Sequence, residues 1–338
     1  MSGRYLVTGG AGFVGSHLVA ALLDRGDACG VLDNLRTGHA GAVLPGARAV
    51  VGDLADQAAL DRVLADGPWD AVFHFAALSL VGESMREPLR YLGENFGNGL
   101  NLLQACVRHG VNRFVLSSTA ALFGRPTKPR LDETTPVDPV SPYGESKWLL
   151  ERALGWADRV HGLRYATLRY FNAAGSDPAG RLGEAHDPET HLIPLAIDTA
   201  LGRTPEFLVF GDDYDTPDGT CIRDYVHVTD LASAHLLALA RLEHGSVAYN
   251  LGNGGGASVL EVIRAVERVS GLKVAYRVVG RRPGDPAVLV ADPTLIMRET
   301  GWSPRFAALD EIVRTAFEWR AAHPTGYDNA RTKSASPI

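Results

Sequence analysis

Tyr143 and Lys147, in the stretch SPYGESK at residues 141–147, set a phenol and an ammonium four residues apart. On a helix that spacing puts both on one face. A free phenol loses its proton near pH ~10, too high for a base at neutral pH, and an adjacent positive charge favours the phenolate. Spacing alone leaves two readings open: a surface pair, or a base with the charge that tunes it. Pro142 suits the first position of the helix that would carry them.

A second group of residues points to a nucleotide. TGGAGFVGSH follows the apolar run RYLVT and opens an apolar helical pattern, with Gly9, Gly12 and Gly15 at GxxGxxG spacing. Glycine there permits a tight turn, close backbone approach to a pyrophosphate and close helix–strand packing, while the helix N-terminus faces the anion. Asp33 ends the next apolar run, where an acid can hydrogen-bond an adenosine ribose. Its charge would repel a 2′-phosphate, which favours NAD over NADP; Arg36 nearby argues the other way. Asp53, in VGDL, is placed to reach the adenine or to cap the following helix.

The elements that must position these residues are legible as periodicity. RYLVT, ACGVLD, ARAVVGD, DAVFHFAA, NRFVLSST and RYATLRYF read as strands. Helical patterns lie between them, including ENFGNGLNLLQACVRHG, with Gly110 as its C′ residue. Alternation of this kind predicts an α/β fold, a Rossmann-like doubly wound parallel sheet. After Asn172 come loops rich in Gly, Pro and Asp, broken by HLIPLAIDTALG, VTDLASAHLLALARLE, VLEVIRAVERVSG and ALDEIVRTAFEWRAAH. They predict a smaller, discontinuous C-terminal lobe. The expected division is 1–172 for the dinucleotide domain, with later segments free to rejoin it, 173–328 mainly for substrate, and 329–338 as a flexible tail.

Composition bounds the partners. The chain has 338 residues, 46% hydrophobic and 21% charged, with a formal charge of −6. No long basic run favours nucleic acid or an anionic membrane, and no apolar run reaches the roughly 20 residues of a membrane span. The first residues carry no secretory pattern. Cys29, Cys106 and Cys221 are isolated and odd in number, as in a reducing cytoplasm. The scatter of His186 and His191 shows no metal-ligand pattern, so no metal is expected.

TGGAGFVG, GDL, HFAA, SST and YGESK, in this order, resemble the extended short-chain dehydrogenase/reductases over nearly the whole chain. LRYFNAAG, HLIP, FGDDYDTPDGTCIRDYVHVTDLA, YNLGNG and RRPGD narrow the resemblance to the UDP-glucose 4-epimerase (UDP-galactose 4-epimerase) family. That resemblance implies a cytosolic enzyme that keeps NAD bound through turnover and acts on a UDP-sugar. It also implies a homodimer packed through the helix near 95–109 and the helix from Tyr143, whose run WLLERALGW is suitably apolar. Implied NAD contacts are the glycine turn with Phe13 and Val14, then Asp33, Asn34, Asp53, Leu54, Phe75, Ala76, Ala77, Asn95, Ser117, Tyr143, Lys147 and Tyr170.

On the substrate side the resemblance gives Thr119 the sugar's 4-hydroxyl and a proton relay to Tyr143. Asn172, with Phe171 and Leu192, meets the diphosphate or sugar, and Arg223 and Arg282 clamp the diphosphate. Asp285 takes a ribose hydroxyl, while Val209 and Phe210 line the uracil pocket. Relatives that dehydrate or decarboxylate carry an acid just after the Ser/Thr; Ala120 and Ala121 stand here, leaving epimerisation. Three positions depart from the pattern or leave it open. Ser79 replaces a lysine found near the cofactor in some members. His191 stands where others have asparagine. Leu289 occupies a size gate at an intermediate bulk, so N-acetylated and pentose UDP-sugars stay open beside UDP-glucose and UDP-galactose. A net dehydrogenase releasing NADH and a catalytically idle NAD-binding scaffold are the competing functions.

Overall fold

The computed structural model describes residues 2–327 apart from 125, 127 and 283; the expected tail at 329–338 lies outside them. The first half runs β1 (Arg4–Thr8), α1 (Phe13–Asp24), β2 (Ala28–Asp33), β3 (Arg48–Val51), α2 (Gln57–Ala65) and β4 (Ala71–His74). Two single turns, α3 (Val81–Ser84) and α4 (Pro88–Tyr91), lead through a π-helical turn, Leu92–Gly97, into α5 (Asn98–Arg108). Then come β5 (Arg113–Thr119), the short β6 (Arg130–Leu131), α6 (Pro142–His161) and β7 (Arg164–Tyr170).

The second half holds β8 (Asn172–Ala174), α7 (Leu192–Ala200), β9 (Phe207–Phe210), β10 (Ile222–Arg223), β11 (Tyr225–His227) and α8 (Val228–Arg241). It continues with β12 (Val247–Leu251), β13 (Ala257–Ser258), α9 (Val259–Ser270) and β14 (Tyr276–Val279). It closes with β15 (Val288–Ala291), α10 (Thr294–Thr300) and α11 (Leu309–Ala322).

Seven strands form one parallel sheet in the order β12-β7-β5-β4-β1-β2-β3. Both faces are covered, which is why its strands read as continuous apolar runs rather than alternating ones. Val7, Val31, Phe73, Val115 and Leu168 face α1 and α8; Leu6, Leu32, Val72, Phe114 and Leu116 face α2, α5 and α6. The strand order reverses between β1 and β4, and in such sheets ligands bind beyond the carboxyl ends of the strands at that switch. The last strand, β12, comes from the second half and pairs in parallel with β7. The helix α8 likewise packs on α1 through the core of this sheet.

Local chemistry sets the helix ends. Ser141 caps α6, its hydroxyl accepting from the Gly144 amide at 3.2 Å, and Pro142 follows at the first helical position. At the end of α5, Gly110 takes φ +70° and the Val111 amide reaches back to the Cys106 carbonyl at 2.9 Å, the expected glycine stop. The smaller lobe has its own core, built from Ile193, Ile197, Val209, Val262, Ile263, Val266, Ile312 and Val313.

Asp224, fully buried between β10 and β11, ties the lobe together. Its carboxylate accepts from the Asn253, Gly254 and Ala291 amides at 2.7, 2.9 and 3.0 Å. Burial raises its pKa, with these three amides opposing. The Asp224 carbonyl in turn receives both the amide and the side chain of Asn172. Replacing Asp224 with alanine strands three buried amides, so Asp224→Ala should lower the unfolding free energy by about 3 kcal/mol or more in urea denaturation.

Candidate active site

The carboxyl ends of β1, β2, β4, β5 and β7 converge on one side of the sheet. At β1 the chain turns through Gly9 at φ +73°, where only glycine sits without strain. A Cβ there would lie 2.4 Å from the Ala76 amide nitrogen, and one at Gly15 would lie 2.2 Å from the Gly9 carbonyl. Backbone thus packs on backbone, and the first turn of α1, headed by Gly12, Phe13 and Val14, holds no acidic side chain. A helix N-terminus of this kind presents amides and a positive dipole end to an anion.

Asp33 closes β2, accepting from the Ala11 amide at 3.0 Å and the Leu35 amide at 2.9 Å. These bonds fix its carboxylate at the turn and leave lone pairs for a ribose. Asp53 holds Asn34 through a 2.7 Å hydrogen bond and accepts from the Ala55 amide; both lower its pKa. Neighbouring Leu54 is buried against Leu32 and Leu60. At β4, the Phe75 and Ala76 amides donate to the Thr8 carbonyl, which carries Phe75, Ala76 and Ala77 across the top of the glycine turn.

Asn95 lies in the π-helical turn that leads into α5. It is buried, its amide bridges the Leu78 carbonyl and the Ser146 hydroxyl, and its oxygen accepts from the Leu78 amide. Its side chain joins the loop after β4 to α6. Ser79, the departure from the lysine pattern, follows directly on that loop.

The β5 end carries the candidate chemistry. Lys147, buried in α6, donates to the Ser117 carbonyl at 2.9 Å. The Ser117 hydroxyl meets the Tyr170 phenol, which comes from the adjacent β7. Burial drives the Lys147 pKa down to about 8, against the opposing charge of Glu151. Burial also raises the Tyr143 pKa, and the Thr119 hydroxyl beside it opposes that rise. The oxygen of Thr119 accepts from the Ala121 amide at 3.1 Å, which leaves its proton for another partner. One turn on, Glu151 is held bidentate by Arg169 and accepts from Ser118 at 2.5 Å, fastening α6 to β5 and β7.

A pocket on the smaller lobe is lined by Asn172, two residues beyond the end of β7, and by Leu192, Phe210, Arg223, Arg282 and Asp285 among others. Arg282 lies over the Phe210 ring at 4.0 Å, and Arg223 is paired with Asp285. Phe171 and Leu289 each pack against the small buried cluster that holds Ala120. Val209 departs from expectation: strand alternation turns its side chain into the lobe's core, and Leu208 and Phe210 line the pocket instead. His191 lines the pocket too, but its ring is engaged by Glu184 and Glu189. Burial lowers its pKa, yet the two carboxylates win and push it up to about 10. Glu184 and Glu189 had no part in the sequence reading; the repeat EAHDPETH at 184–191 was the available signal.

The parallel sheet, the glycine turn and the Tyr–Lys pair define a nucleotide-dependent enzyme of the short-chain dehydrogenase/reductase type. The profile of the NAD dependent epimerase/dehydratase family matches residues 5–252. A UDP-glucose 4-epimerase of Streptococcus mutans is 46% identical over 328 residues, 96% of this chain and 98% of that one. Among solved structures, the UDP-glucose 4-epimerase of Brucella ovis in complex with NAD is 45% identical, with a TM-score of 0.91 over 94% of this chain and 98% of that one. The UDP-Glc/GlcNAc 4-epimerase of Campylobacter jejuni is 40% identical, with a TM-score of 0.84 over 95% and 100%. The chain belongs to the NAD dependent epimerase/dehydratase family and, within it, to the UDP-glucose 4-epimerases.

The buried ammonium carries a stability cost with a definite pH dependence. Below about pH 8 Lys147 is charged in both folded and unfolded chains, and the whole penalty is present. Between there and the model-peptide value near ~10.4 the unfolded chain binds more protons, so stability recovers as pH rises. The cofactor-free Lys147→Met protein should therefore be more stable than the parent at pH ~7, by up to about 3 kcal/mol. That advantage should shrink as urea titrations move up through pH ~8 to ~10.

Proposed function

We propose that the protein interconverts UDP-glucose and UDP-galactose by NAD-dependent epimerisation at C4 of the sugar. The observation that carries this reading is the meeting of Thr119, Tyr143 and Lys147 at the end of β5 with the arginine-bearing pocket alongside. The C4–H bond is too weakly acidic for direct proton abstraction. Bound NAD supplies a reversible acceptor for the hydrogen and electron pair on C4, so the sugar passes through a 4-keto form and returns with either configuration.

The residues fit that cofactor. The backbone-on-backbone contact at Gly9 and Gly15 leaves the first turn of α1 open to a pyrophosphate, and Asp33 suits an unphosphorylated ribose. Lys147 has donors left beyond its bond to Ser117 for the nicotinamide ribose. Tyr143 takes the proton of the 4-hydroxyl through Thr119 and gives it back. Lys147 and the positive nicotinamide ring offset the effect of burial on the phenol. Arg223 and Arg282 hold the diphosphate, which lets the sugar turn while the nucleotide stays anchored. Ala120 and Ala121 offer no proton, so the keto form is neither dehydrated nor decarboxylated.

We place the NAD site mainly in residues 1–172 and the UDP-sugar site mainly in 173–328. The cytoplasm is the proposed compartment: the three cysteines are unpaired and buried, and among the described residues no helix is long and apolar enough to cross a membrane. A homodimer is supported by the apolar residues that α6 and the neighbouring turns expose, Trp156 and Val160 with Met85 and Leu89. The double variant Trp156→Arg, Val160→Asp should elute as a monomer in light-scattering chromatography, where the parent is a dimer.

The direct test incubates the purified protein with UDP-galactose and no added NAD. UDP-glucose should form without a steady growth of NADH absorbance, whereas no conversion, or net NADH release, would sink the reading. UDP-N-acetylgalactosamine and UDP-xylose run in parallel set the breadth that Leu289 permits. Tyr143→Phe should fold and retain NAD but lose turnover by about 10²-fold or more.

A further inference from the structure

Beyond the reaction, the connector from Glu184 to His191 gathers four potential ligands that the mechanism does not use together. The spacing E-x-H-x-x-E-x-H brings one atom from each of Glu184, His186, Glu189 and His191 within 4.8 Å of one another. His186 Nδ1 and His191 Nδ1 lie 3.1 and 2.9 Å from the same Glu184 oxygen. His191 Nδ1 is also 3.0 Å from Glu189 Oε1, and His186 Nδ1 is 3.9 Å from it. Ligands about 2.0–2.1 Å from a tetrahedral zinc ion stand roughly 3.4 Å apart, which is the scale of these separations.

Ion pairing between the histidines and the two carboxylates accompanies the convergence. His191 to Glu189 has hydrogen-bond geometry, but His191 to Glu184 and His186 to either carboxylate do not. Glu184 Oε1, His186 Nδ1 and Glu189 Oε2 are buried without a hydrogen-bond partner. Glu184 itself is only 6% exposed, and a carboxylate so buried requires a cation or a proton donor beside it, a need that a histidine proton or a metal ion meets. Arg320 is the nearby permanent cation. It lies 3.6 Å from Glu189 Oε2, is held by Asp198, and donates to the Glu184 carbonyl, so it braces the connector from behind. The two histidine side chains are partly exposed and give an ion an approach from solvent.

We propose that Glu184, His186, Glu189 and His191 form a site for one divalent transition-metal ion of the zinc class. Two imidazole nitrogens and two carboxylate oxygens suit such an ion better than calcium or magnesium, which prefer all-oxygen sets. The ion fastens a connector that touches both sites already described. His186 packs edge-on against Phe13 at the head of α1, with ring centres 6.2 Å apart. His39 bonds the Ala185 carbonyl at 2.6 Å. Glu184, Glu189 and His191 border the pocket of Arg223 and Arg282. The ion's role is to hold that connector, and the sugar chemistry needs no step from it.

The test is spectroscopic and independent of turnover. Tag-free full-length protein is stripped with a chelator and titrated with Co2+. The expected result is one equivalent per chain, with the intense visible bands of tetrahedral Co2+, bleached by one equivalent of Zn2+. Elemental analysis of protein purified without chelator should find about one zinc per chain, and zinc should raise the melting temperature. His186→Ala and Glu184→Gln should each weaken Co2+ binding by at least about tenfold. Absence of stoichiometric metal and of Co2+ bands in the parent protein overturns the proposal, as does binding that both variants leave unchanged. If a variant fails to fold by circular dichroism, the parent titration decides alone, and its negative outcome assigns the cluster to proton sharing only.

Discussion

The arrangement depends on keeping one ammonium out of water. Lys147 is buried at the end of β5 with the Ser117 carbonyl as its hydrogen-bond acceptor, so the helix that carries it must dock closely and hold its place. The sequence of α6 meets that demand with small residues. A Cβ at Gly144 would lie 2.5 Å from the Ala121 carbonyl, and Ser146 lends its hydroxyl to Asn95. A turn later, the buried Glu151–Arg169 pair and Ser118 lock α6 to two strands. Leu150 fills the space that Gly99 leaves on α5. The same burial raises the pKa of Tyr143 and lowers that of Lys147, each away from its charged form.

The second constraint is the join between the two sites. β7 ends at Tyr170 beside the Ser117 hydroxyl, and two residues later Asn172 is bonded to the Asp224 carbonyl. Asp224 follows Arg223 directly, so one short stretch of backbone joins the end of β7 to Arg223, the arginine proposed to hold the diphosphate. The carboxylate of Asp224 holds the loop after β12 and the strand β15, which bears Leu289. The end of β7, Arg223 and the strand that bears Leu289 are thus parts of one hydrogen-bonded unit.

Much of this was legible in the sequence, for identifiable reasons. Buried parallel strands are apolar on both faces, so β1, β2, β4, β5 and β7 stood out as runs, and the turn after β1 needs glycine for steric reasons that any sequence exposes. What escaped were features decided by tertiary closure. β12 is short, partly polar and remote from β7, its partner. Val209 and Phe210 are adjacent, and only strand register says which of them faces the pocket. Asn95 has the right type and place for a cofactor contact, and its bonds to Leu78 and Ser146 are set by the fold. The glutamates of EAHDPETH stand beside His186 and His191 in sequence, but only the fold shows one atom of each within 4.8 Å of the others.

The central claim is that the hydrogen on C4 departs with its electrons and comes back to the same sugar while Tyr143 handles only the hydroxyl proton. UDP-galactose deuterated at C4 tests it directly, incubated with the protein in ordinary water and followed by NMR or mass spectrometry. The account predicts UDP-glucose that keeps the deuterium at C4. Product carrying protium at C4, drawn from solvent, would contradict it.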